Sequence, residues 1–135
     1  MSPVSASILV ATVLQTAPPP PPSGIIIEPV LYYASGSIRP LASNERNLAS
    51  IRDYASRPGV TAVIIEGHAD TLGSADANHV LSERRAREVA ATLIADGVPP
   101  SLIQIRAYGE TRLGRPTADG VDDPLNRRVS VGFSY

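Results

Sequence analysis

From residue 25 onward the hydrophobic positions of the chain alternate between two periods. Residues 25–34, IIIEPVLYYA, read as a strand, and Pro29 within them points to an edge or a bulge because proline donates no ladder hydrogen bond. SGSIRP (35–40) is a turn. Over residues 41–59, Leu41, Leu48, Ile51 and Ala55 recur at near-helical spacing, and Pro58-Gly59 stops the helix. VTAVIIEG (60–67) is a short β-branched run bounded by Gly67. Residues 74–100 predict a long helix with Asp76 as N-cap, with Val89, Leu93 and Ile94 facing inward, and with Gly97 ending it before two prolines. SLIQIRAYG (101–109) predicts a third strand, residues 110–126 a polar loop, and RRVSVGFSY (127–135) an alternating closing strand. The order β-α-β-α-β-β predicts an α/β fold of the α+β sandwich kind, a small mixed sheet with helices mainly on one face.

The first residues follow neither period. Residues 5–17 are apolar or small, too short for the roughly 20 residues of a membrane-spanning helix. Their length suits the apolar region of an export signal, although no Lys or Arg precedes them. We therefore expect residues 1–17 to be a signal peptide or apolar leader. PPPPPSG (18–24) favours a stiff polyproline II spacer, which assigns 18–24 to a linker and 25–135 to the folded domain.

Composition narrows the chemistry. A net charge of −1 and a pI of about 6.1 give no electrostatic footprint for nucleic acid. The absence of cysteine excludes disulfides, thiolate metal sites and a cysteine nucleophile. No G-x-S-x-G occurs, and the two histidines do not form a tight His-x-x-x-His pair. The expectation is a protein without catalytic residues, metal or cofactor.

One stretch holds most of the candidate chemistry: GHADTLGSADANHVLSERRA, residues 67–86. Its loop follows the second strand, at the carboxyl edge where open α/β sheets tend to bind ligands, and carries Asp70. On the following helix Asn78, Ser82 and Arg85 share one face. An acid and a base flanking one crevice suit a zwitterion, the carboxylate holding an ammonium and the guanidinium a carboxylate. Spacing alone leaves a second reading open, in which Asp70 and Arg85 pair with each other and anchor the loop to the helix. Both residues are expected on a rim, where their loss costs little of the core.

The same stretch, with IRAYGE and NRRVSV further on, resembles the OmpA-like peptidoglycan-binding domain over roughly residues 30–131. The resemblance implies that Asp70 and Arg85 clamp the free amino and carboxyl ends of diaminopimelate in the cell-wall stem peptide. It makes Asn78 a further ligand contact and gives Thr71, Gly73, Ser82 and Arg128 supporting roles, with Arg127 solvated. Ala69 stands where most members carry Thr. The implied function is non-covalent, non-catalytic binding of diaminopimelate-type peptidoglycan in the periplasm, at the cell wall or outer membrane. Envelope proteins are further candidate partners; nucleic acid and a membrane-spanning helix are not expected. The alternative is a protein–protein adaptor domain with a structural Asp70–Arg85 pair.

Overall fold

The structure, a computed structural model, describes residues 29–135. The expected leader (1–17), the expected linker (18–24) and the start of the strand expected over 25–34 lie outside the described residues. The elements run β1 (Val30–Tyr32), α1 (Glu45–Ala55), β2 (Ala62–His68), α2 (Ala75–Ala95), β3 (Ile103–Gly109) and β4 (Arg128–Ser134). Short 3-10 turns, Ala42–Asn44 and Pro100–Leu102, lead into α1 and β3. The sequence order of elements is the expected one, and the sheet order is β1-β4-β2-β3. β2 and β3 are parallel, while β4 lies antiparallel to both β1 and β2, so the sheet is mixed.

Strand alternation sets the layers. Val129, Val131 and Phe133 of β4, Val63 and Ile65 of β2 and Ile103 and Ile105 of β3 are buried on one face. Ile51 and Ala55 of α1 and Ala86, Val89, Ala90 and Leu93 of α2 complete that core. Each Val, Leu, Ile or Phe among them contributes about 1.5–3 kcal/mol by leaving water. The other face is polar, with Glu66 accepting from Tyr108 Oη at 3.3 Å and pairing with Arg106 at 3.4 Å.

Helix α2 begins at Ser74, whose Oγ accepts from the Ala77 amide at 3.1 Å. Asp76, expected as the cap, instead occupies the first turn, where its charge complements the helix dipole. Gly97, at φ 102°, ends the helix, and the Val98 amide reaches back to Leu93 O at 3.0 Å. The helix lies very close to β2: a Cβ built on Gly67 would sit 2.1 Å from the Ser82 carbonyl oxygen. Only glycine permits this approach, and the approach is what carries the start of α2 to the carboxyl end of β2. Ser82 also fastens the helix to β3, its Oγ accepting from the Gly109 amide at 2.9 Å.

Candidate functional site

Asp70, Asn78 and Arg85 converge where β1, β2 and α2 meet. Asp70 is buried just beyond the end of β2. Its Oδ1 accepts from the Leu72 amide at 3.2 Å. Its Oδ2 accepts from the Asp123 amide at 3.2 Å and from Arg127 Nη1 at 3.0 Å. A carboxylate offers about four acceptor positions, so these bonds leave one unused.

Asn78 holds the loop around that carboxylate. Its Nδ2 donates to Asp70 O at 3.1 Å, Leu72 O at 3.0 Å and Glu110 Oε1 at 3.1 Å. Asn78, expected as a ligand contact, thus also braces the acid-bearing loop. Thr71 braces the other side: its Oγ1 donates to Ala118 O at 2.7 Å and accepts from the Val121 amide at 3.0 Å. Gly73 makes the turn before α2 at φ 90°, a conformation that suits glycine, and Ser82 is the α2–β3 fastener described above.

Arg85 lies on the buried stripe of α2 and is 0% exposed. Three backbone carbonyls surround it: Nε donates to Ser37 O at 2.8 Å, Nη1 to His68 O at 3.2 Å and Nη2 to Ala34 O at 3.2 Å. Its guanidinium carbon stands 4.9 Å from the centre of the Tyr33 ring. Burial pulls its pKa down to about 10, Tyr33 and Asp70 oppose that, and the Arg127 charge adds to it. It stays charged at neutral pH. The expectation of a rim position fails here: the arginine is fully enclosed, and the exposed turn at 34–36 forms part of its cover through the Ala34 carbonyl.

The expected structural pair between Asp70 and Arg85 is not the one formed. Among the described residues, the ion pair of Asp70 is with Arg127, and Arg85 is bonded to carbonyls. Arg127 is correspondingly not solvated. It is buried, donating through Nε to Tyr33 O at 2.8 Å and through Nη1 to both Asp70 and Asp122. Arg128, expected at the pocket wall, points to the polar sheet face and donates to Arg112 O at 3.2 Å. The reason is strand alternation: Arg127 shares the parity of Val129 and Arg128 does not. Counting back from Val129 is the signal that identifies Arg127.

His68 completes the base side through its carbonyl, while its ring lies against Tyr108 with centroids 5.3 Å apart. Nδ1 is 3.0 Å from Arg112 O. Burial, reinforced by the charge of Arg128, lowers its pKa to about 4, so the ring is neutral at pH 7. Among the described residues no group of three or more His, Asp or Glu is arranged to hold a metal ion. No helix among them is long and apolar enough to cross a membrane.

A mixed four-stranded sheet with two helices over one face, and an acid and an arginine at the β2–α2 junction, define an OmpA-like α+β domain. The chain belongs to the OmpA family, which it matches over residues 32–127. It is 37% identical over 88 residues to outer membrane porin F of Pseudomonas fluorescens, covering 63% of this chain and 26% of that protein. It is 39% identical over 72 residues to the peptidoglycan-associated lipoprotein of Pseudomonas aeruginosa, covering 51% of this chain and 41% of the lipoprotein. The matches thus span well under half the length of these curated relatives. In fold it is similar to the crystal structure of the peptidoglycan-associated lipoprotein from Burkholderia pseudomallei, with a TM-score of 0.68, 22% identity, and coverage of 78% of this chain and 89% of that one. The OmpA-like domain of FopA1 from Francisella tularensis gives a TM-score of 0.65 at 21% identity, covering 80% and 76%.

Proposed function

We propose that this domain binds peptidoglycan non-covalently and without catalysis, gripping the diaminopimelate of the stem peptide between Asp70 and Arg85. The observation that carries the reading is that two enclosed, opposite charges at one junction are not paired with each other. Each is instead fixed by the backbone and keeps unused hydrogen-bonding capacity, the carboxylate for an ammonium and the guanidinium for a carboxylate. Membership of the OmpA family and likeness to proteins named peptidoglycan-associated lipoproteins support the same reading. They also support a place in the periplasm, at the cell wall or outer membrane.

Because Arg85 is fully enclosed, the ligand carboxylate reaches it only as the turn at 34–36 gives up a carbonyl contact. Lysine, which lacks the second carboxylate, offers Arg85 nothing in exchange. A charge-assisted hydrogen bond is worth about 1.5–3 kcal/mol, so diaminopimelate peptide should bind at least about tenfold more tightly than the matched lysine peptide. Titration calorimetry with the two peptides tests this, and equal affinities would remove Arg85 from ligand recognition. The alternative, an adaptor domain for a protein partner, draws on the internal Arg127–Asp70 ion pair. It predicts that the domain fails to co-sediment with insoluble peptidoglycan.

A further inference from the structure

We infer that Asp122 is a second carboxylate of the ligand site: it neutralises Arg127 and so leaves the charge of Asp70 available to a ligand ammonium. The inference rests on reading Asp70 and Arg85 as a clamp for a zwitterion. Its origin is a charge conflict within that clamp. Arg127 Nη1 lies 3.0 Å from Asp70 Oδ2. A cation so close cancels most of the attraction that the carboxylate would exert on a second cation. With Arg127 and Asp70 alone, the acid end of the clamp is neutral and an arriving ammonium gains little.

Asp122 resolves the conflict. Its Oδ1 bonds the same Nη1 that bonds Asp70, so one guanidinium is shared by two carboxylates and the cluster carries a net negative charge. Arg127 cannot swing away to free Asp70, because its Nε is fixed to Tyr33 O at 2.8 Å. The neighbouring Asp123 does not substitute. Its carboxylate pairs with Arg115 at 2.9 Å, and its contribution to Asp70 is a backbone amide. Glu110, another nearby acid, meets the site through Asn78. The side chain of Asp122 is 59% exposed, against 7% for Asp70. The second carboxylate thus faces the solvent from which a ligand arrives, and Arg127 stands between it and the first.

The opposite end of the clamp needs no such device. Arg85 is surrounded by neutral carbonyls, so its charge is not cancelled by a neighbouring ion pair. The arrangement gives a site with a negative end at Asp70–Arg127–Asp122 and a positive end at Arg85. That polarity matches a carbon bearing both an ammonium and a carboxylate.

The test uses the full chain and two soluble stem peptides, one with the free amine of diaminopimelate and one with that amine acetylated. Asp122→Asn should weaken binding of the free-amine peptide about three- to tenfold and leave the acetylated peptide unchanged, with urea midpoint and circular dichroism as in the wild type. Asp122→Glu should restore the affinity, and Glu110→Gln should have a smaller effect than Asp122→Asn. Raising salt should reduce the difference between wild type and Asp122→Asn, because an exposed charge is screened. If the wild type prefers the free-amine peptide and Asp122→Asn binds it equally well, the inference is overturned while the clamp reading stands. If the wild type does not distinguish the two peptides, or binds neither, the ammonium end of the clamp is wrong and the role of Asp122 falls with it.

Discussion

Asp70 and Arg85 belong to one junction, yet the chain secures them by different means. The acid is held by two backbone amides and one ion pair, in a loop whose other supports come from Asn78 and from residues 117–121. The arginine is held by carbonyls from the β1–α1 turn and the end of β2, on the rigid face of a long helix. The acid side is therefore a balance of charges, adjustable by changing any one of them. The base side is a cage of dipoles, and it contributes to the fold as well as to any ligand. One charged residue is a removable contact, and the other joins three segments of the chain.

The largest consequence concerns stability. Arg85→Ala removes a fully enclosed side chain and leaves the His68 carbonyl buried without its donor. We expect a loss of about 3–5 kcal/mol in urea unfolding. Arg85→Lys should recover less than half of it, since an ammonium cannot reproduce a planar fork to three carbonyls. Asp70→Asn keeps an oxygen for the Leu72 amide and leaves Arg127 its bonds to Asp122 and Tyr33, so it should cost about 1–2 kcal/mol. Equal losses for Arg85→Ala and Asp70→Asn would end the distinction between cage and balance. The practical consequence is that loss of wall binding in Arg85→Ala is informative only at temperatures where the variant is still folded.

A second expectation concerns pH. The folded pKa of His68 is lowered from 6.5 to about 4 by burial and then by Arg128. Above pH 6.5 the ring is neutral in both folded and unfolded chains, and it contributes no pH dependence. Between pH 6.5 and 4 the unfolded chain takes up the proton and the folded one does not, so stability falls as the pH falls. The loss amounts to about 3 kcal/mol by pH 4. The titrating ring lies on the polar face of the sheet, against Tyr108 and near Arg128, although the backbone oxygen of the same residue bonds Arg85. Urea midpoints from pH 7 to 4 should show the slope, and His68→Phe, which cannot titrate, should flatten it. An unchanged slope in that variant would assign the acid sensitivity to carboxylates instead.

The layered fold was readable because its signals are periodic and local. β4 alternates from Val129 to Phe133, and α2 repeats Ala86, Val89, Ala90 and Leu93 along one stripe, so register and inward face follow directly. The same stripe already held Arg85, four positions before Val89, and its full enclosure follows from that helical spacing rather than from loop geometry. The N-cap lies two residues before the expected Asp76 because Asp76 and Ser74 are both good capping types, and only the Ala77 amide decides between them. What had no local signal was the set of partners. The carbonyls of Ala34 and Ser37 reach Arg85 across about fifty positions of sequence through a turn with Gly36 at φ 70°. Asp122 reaches Arg127 from within a long loop whose path no period specifies. Asp70 and Arg85 stand out in the sequence by type and spacing, whereas the partners that hold them, Arg127 and the carbonyls of Ala34, Ser37 and His68 among them, do not.

The smallest expected effect distinguishes the adjacent arginines at the start of β4. Arg127 faces the site, and Arg128 faces the polar side of the sheet, where its charge helps to lower the pKa of His68. Arg128→Ala removes that charge while burial and the charge of Arg112 remain. The pKa of His68 should therefore rise from about 4, toward but well short of 6.5, by less than about one unit. The sign then carries through to stability. A smaller gap between folded and unfolded values means a smaller loss on acidification, reduced by up to about 1 kcal/mol. Binding of the wall should stay at the wild-type level, because Arg128 donates to Arg112 and has no bond to Asp70, Asn78 or Arg85. Following the ring of His68 by NMR from pH 8 to 3, alongside co-sedimentation with peptidoglycan, reads both quantities on one variant. An upward shift with intact binding places Arg128 on the far side of the sheet. Weakened binding with an unmoved His68 would return it to the pocket wall and make Arg127, not Arg128, the structural member of the pair.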